Sequence, residues 1–178
     1  VESDMAPATL EAGIEAAMDK TFGLKIAAMV RTPEQWAALI AANPFARQAE
    51  AHPARALAMV MKDGIRPGAL EACRALAEGG EAVEAAHLEG GDVLYFWFPK
   101  GHGESGIFKK ATPRMLGMGT GRNWNTVLKL AEMAKGPGVG IVVRASNLPP
   151  DRPFSDQSAA AILKVHAGTG KPVAVMGN

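Results

Sequence analysis

The chain reads as an α+β protein of two subdomains, with helices packed on antiparallel sheets. Three observations predict this. Short apolar runs of strand length alternate with segments whose apolar residues recur at helical spacing. Glu89-Gly90-Gly91-Asp92, between two strand candidates, has the composition of a hairpin connection and so makes their pairing antiparallel. Residues 55–117 follow the order strand, helix, strand, strand, helix, which is most of a βαββαβ unit.

Leu10, Ile14, Ala17 and Met18 form one apolar face on a helix over 7–20, with Pro7 in its first turn. Lys25 to Val30 is a short strand ended by Arg31. Thr32-Pro33-Glu34-Gln35 is a capping box, so a helix follows over 33–42 until Asn43-Pro44 stops it. A polar loop to about Pro53 leads into a strand at 55–61. Pro67 opens a helix over 67–78 that Gly79-Gly80 terminates, and 82–88 and 93–98 are the hairpin arms. Pro99 to Ser105 is a Gly-rich loop, 106–117 a basic helix, and Gly117-Met118-Gly119-Thr120-Gly121 a break before a short helix carrying Trp124. Lys135-Gly136-Pro137-Gly138 reads as a linker. A strand from Val139 to Arg144, a Pro-rich loop, a helix over 156–167 between Ser155 and Gly168, and a strand from Pro172 to Met176 complete the chain.

A length of 178 residues can bury a core without staples, and 48% hydrophobic against 21% charged residues excludes a disordered chain. The single cysteine, Cys73, excludes an intramolecular disulfide and a Cys-based zinc site, and fits a cytoplasmic protein. No apolar run approaches the roughly 18 residues of a spanning helix, and the N-terminus has no basic segment followed by an apolar one. A soluble cytoplasmic protein without a membrane partner is expected. Net charge is only +1, but residues 1–98 hold 8 Lys/Arg against 14 Asp/Glu, whereas residues 99–135 hold 7 against 2. That late excess attracts anions, or is simply a solvated face.

Arg122-Asn123-Trp124-Asn125-Thr126-Val127-Leu128-Lys129-Leu130 resembles the closing segment of a bacterial family known as domain of unknown function 1697. Val30-Arg31-Thr32, Ala41-Ala42-Asn43-Pro44-Phe45 and Tyr95 through Gly103 resemble further family segments in the same order, so residues 8–134 look like its larger C-terminal part. The family's opening strand, loop, helix and strand resemble Val142 to Asn147, Gln157 to Leu163 and Val173 to Asn178, which here come last. The resemblance therefore implies a circular permutation, with the former termini joined through residues 135–138 and Val1 continuing from Asn178. In the restored order both halves follow the ferredoxin-like pattern. The first subdomain would comprise 1–30 plus 139–178 and the second 31–134. The cut leaves one hairpin strand short, and the exposed sheet edge invites a homodimer.

Familiar catalytic motifs fail. Gly168-Thr169-Gly170-Lys171 has Val at 165, Pro172 in place of Ser/Thr and a following strand, unlike a phosphate-binding loop. Gly117, Gly119 and Gly121 follow a helix and lack the third glycine of a dinucleotide fingerprint. His52, His87, His102 and His166 have no metal-site spacing, and His87 with Glu89 makes only two ligands. Ser105 near His102 lacks a nucleophile elbow, and Cys73 sits among apolar helix neighbours. No cofactor or metal is expected.

Two features point to anions. Ser105, Lys109, Lys110 and Arg114 can meet a phosphate at a helix start, and Arg122 and Asn125 can face a ligand. Tyr95 and Trp97 share one face of an aromatic strand and are candidates for stacking bases. The first reading is a non-catalytic binding or scaffold domain for an anionic partner such as nucleic acid. The alternatives are an enzyme acting on a phosphorylated small molecule through Ser105, Lys109, Arg122 and Asn125, and an engineered rearrangement with no native activity.

Overall fold

The computed structural model describes residues 5–134, 141–145 and 175–176. Its contacts divide the chain into two units, Val1–Trp36 with Glu132–Asn178, and Ala37–Ala131. The fold class is α+β.

In the first unit, helix α1 (Pro7–Phe22) carries proline in its opening turn and buries Leu10, Ile14 and Met18 along one face. It ends at Gly23, whose φ of +64° is the left-handed conformation that glycine adopts without a Cβ clash. Strand β1 (Ala27–Arg31) contributes Ala28 and Val30 to the same apolar cluster. It pairs antiparallel with β6 (Ile141–Ala145), Ala27 opposite Ala145. Strand β7 (Val175–Met176) lies beside β6 in parallel, so one pair departs from the expected antiparallel sheets. In a βαββαβ unit another strand would separate these two, and here they bond directly. The expected helix over 156–167, the linker at 135–138 and the segment near Val1 lie outside the described residues.

The other edge of β1 is closed by the helix above it. Glu15 Oε1 accepts the Ala28 N–H and Glu11 Oε1 accepts the Val30 N–H, both at 2.8 Å. Alternate N–H groups of an edge strand point outward, and two carboxylates one helical turn apart match that repeat. Glu11 also accepts from Arg31 Nη1 at 3.3 Å, pairing a buried guanidinium that donates to the Val30 carbonyl as well. Burial draws the Arg31 pKa down, and the Glu11 charge and hydrogen bond oppose that shift.

Helix α2 (Pro33–Ala41) starts at the expected capping box: Thr32 Oγ1 accepts from the Gln35 N–H, and Gln35 Oε1 accepts from the Thr32 N–H. The Asn43 side chain then accepts the Phe45 N–H, turning the chain into α3 (Ala46–Ala51). This helix replaces the expected polar loop, because Ala46, Arg47, Gln48, Ala49 and Glu50 are all good helix formers.

The second unit continues with β2 (Ala56–Met61), α4 (Ala69–Leu76), β3 (Ala82–Leu88), β4 (Gly91–Trp97), α5 (Gly106–Lys110), α6 (Pro113–Leu116), β5 (Gly119–Asn123) and α7 (Trp124–Met133), the last reaching past Ala131. The sheet order is β3-β4-β2-β5 with every neighbour antiparallel. Glu89-Gly90 is the two-residue turn of the β3–β4 hairpin, with Leu88 opposite Gly91. Leu94 and Phe96 on one face of β4, with Phe98 just past its end, meet Met61, Cys73, Val83, Ile107 and Leu116 in the core. Each large side chain there contributes roughly 1.5–3 kcal/mol.

Two expectations are corrected. The single basic helix over 106–117 is two short helices, because Thr112 caps a new start through the Met115 N–H and Pro113 occupies its first position. The glycine break at 117–121 is largely strand β5. Its glycines admit close packing: a Cβ on Gly119 would lie 2.8 Å from Met61 Sδ and 2.9 Å from the Val60 carbonyl oxygen.

Candidate functional site

The predicted site residues fall on three separate segments. Lys109 and Lys110 end α5 and are exposed. Ser105 is fully buried, and its Oγ accepts the Phe108 N–H at 3.0 Å as the cap of α5. Its assignment to a bound anion is corrected, since burial removes it from a partner's reach and helix initiation uses its oxygen. Arg114 lies exposed on α6. Arg122, on β5, donates from Nη1 to the Gly121 carbonyl at 2.8 Å, and Asn125 is exposed in the first turn of α7. The neighbours of these last two are structural. Asn123 caps α7 through the Thr126 N–H, and Trp124, Val127 and Leu130 are buried.

The stacking assignment of Tyr95 is also corrected. Strand β4 lies between two others and is covered on both faces, so Tyr95 is 1% exposed. Its hydroxyl donates to the Leu39 carbonyl oxygen at 2.6 Å, and burial pushes its pKa well above the ordinary phenol range. Trp97, at the strand end, is half-buried.

An exposed aromatic surface occurs elsewhere. Phe108 on α5 is 50% exposed, with the His102 ring 5.2 Å away. Both meet the buried Phe98 ring edge-on, at 6.3 and 6.5 Å. Phe98 thus anchors two exposed rings, and Lys109 and Lys110 follow Phe108 along α5. Sequence reasoning missed this surface because Phe108 lay inside a presumed single helix, where its exposure had no signal.

At the hairpin end of the sheet, His87 and Asp92 face each other across β3 and β4, with Nδ1 and Oδ1 2.8 Å apart. Asp92 Oδ2 also accepts the Ile65 N–H at 2.9 Å. Partial burial opposes the Asp92 charge, but the Ile65 N–H and His87 outweigh it and hold the carboxyl below its ordinary range. The expected four-residue connection 89–92 is corrected to a two-residue turn, Glu89-Gly90, which brings Asp92 into the strand opposite His87. Cys73 is buried within the core, and burial raises its thiol pKa, as suits packing rather than chemistry. Among the described residues no group of three or more His, Cys, Asp or Glu side chains can hold a metal ion, and no helix is long and apolar enough to cross a membrane.

No curated protein and no solved structure matches the chain. A family model described as "Protein of unknown function (DUF1697)" matches residues 1–93 and ends before the Arg122–Leu130 segment. With more than half of its length matched, the chain belongs to this family of unknown function.

Proposed function

We propose that the chain is a non-catalytic binding module whose α5 surface meets single-stranded nucleic acid. The observation that carries this reading is the contact of the exposed Phe108 and His102 rings, 5.2 Å apart, with the exposed Lys109 and Lys110 following Phe108 along α5. Aromatic rings stack on bases of any sequence, and neighbouring cations follow the phosphates. Residues 99–135 hold 7 Lys/Arg against 2 Asp/Glu, and that local excess supports an anionic partner. The βαββαβ order and antiparallel sheet of the second unit support a ferredoxin-like reading, and the pairing of β1 with β6 is compatible with a circular permutation. A cytoplasmic location and edge-to-edge dimerisation belong to the same proposal.

The test is fluorescence anisotropy of labelled single-stranded RNA at about 50 and 200 mM salt, where counterion release is diagnostic. Saturable binding should weaken steeply with salt. It should fall with Lys109→Ala/Lys110→Ala and with Phe108→Ala, the latter by roughly 1–3 kcal/mol per lost stack. Absence of binding at the lower salt, or binding indifferent to all three substitutions, refutes the assignment.

A further inference from the structure

An open groove lies at the hairpin end of the same unit. The loop after β2 and the segment from Pro113 to Met118 form its walls, around a volume of about 540 Å³. That volume suits a small ligand. Arg66 stands on one wall and Arg114 on the other, and both are exposed. Neither guanidinium has a carboxylate partner among the described residues.

The walls are fixed by backbone rather than by the long side chains that line them. The Lys62 N–H donates to the Met118 carbonyl at 2.8 Å and the Arg66 N–H to the Leu116 carbonyl at 3.0 Å. The Ile65 N–H donates to Asp92, itself held by His87. Gly117, at a φ of +104°, lets the walls approach, since a Cβ there would come within 2.9 Å of the Gly64 carbonyl oxygen. The backbone of both walls is therefore held in place before a ligand arrives, which leaves only the two side chains to order on binding.

We propose that this groove binds a small molecule through a phosphate or carboxylate group held between Arg66 and Arg114. Guanidinium groups suit both anions because their planar forks donate in pairs. Asp63 on the same rim offsets one positive charge, which favours a compact anion over an extended polyanion. Ile65, Pro113 and Met118 offer apolar surface to the rest of the ligand.

Isothermal titration of the full chain with phenyl phosphate and with benzoate tests the site and separates the two anion classes. At least one probe should bind saturably, and Arg66→Gln and Arg114→Gln should each weaken it about tenfold or more. Both residues are exposed, so thermal midpoints should stay unchanged. Lys109→Ala/Lys110→Ala should leave the affinity intact, so this site can stand or fall independently of nucleic-acid binding. No saturable binding of either probe up to about 10 mM, or binding unaffected by both arginine substitutions, overturns the proposal.

Discussion

Replacing Glu11 by alanine tests the closed edge of the first unit most directly. One oxygen, Oε1, accepts from both the Val30 N–H and Arg31 Nη1. Alanine leaves that N–H without its acceptor, at a cost of about 1–3 kcal/mol. It also removes the carboxylate from a guanidinium whose side chain is only 10% exposed. Losing one partner of a fully buried pair costs about 3–5 kcal/mol, and slight exposure together with the surviving bond to the Val30 carbonyl reduces that share. The combined expectation is about 3 kcal/mol, which for a chain of this size lowers the melting midpoint by roughly 6–12 °C. Glu11→Gln keeps an oxygen acceptor but not the charge, and should lose about 1–2 kcal/mol. Urea unfolding followed by tryptophan fluorescence at neutral pH gives both values. A Glu11→Ala protein within about 0.5 kcal/mol of the parent, or a Gln variant as damaged as the Ala variant, refutes the account.

Tyr95→Phe should cost about 1–2 kcal/mol by stranding the Leu39 carbonyl. Tyr95 is the single tyrosine, so an absorbance titration should show no phenolate until the chain unfolds in alkali. Its folded pKa is raised, so the stability it contributes is complete below the ordinary phenol range and is lost as pH rises beyond it. Gly119→Ala should destabilise by about 1–3 kcal/mol in the same urea assay, because Val60 O is backbone and cannot swing aside. Asp92 has a depressed folded pKa, so its contribution is complete above the ordinary value near 3.8 and fades as pH falls through the lower folded value. Stability measured down the acid range should show that loss in the parent and not in Asp92→Asn.

Elements with a local cause were legible in the residues. The α2 capping box, the proline at the start of α1 and the β3–β4 hairpin each depend on a few adjacent side chains, and each is present. The site was less legible. Lys109, Lys110 and Arg114 are surface cations as expected, but nothing local distinguishes Ser105 as a buried cap from Ser105 as an anion ligand. Tyr95 and Trp97 alternate with Phe96 and Phe98, which implies two faces without revealing that both are covered.

The sequence by itself determined the α+β class, the presence of the β3–β4 hairpin, and the positive charge of residues 99–135. These follow from periodicity, turn length and composition, which act within a few residues. Only tertiary structure decided that Gly119–Asn123 is a strand, that Glu11 and Glu15 close an edge, and that Arg66 shares a groove with Arg114. Each joins segments distant along the chain: β5 gains its partner from β2, and carboxylates on α1 meet N–H groups on β1. Such pairings are selected by packing and by the need to satisfy backbone polar groups, and no local pattern encodes them.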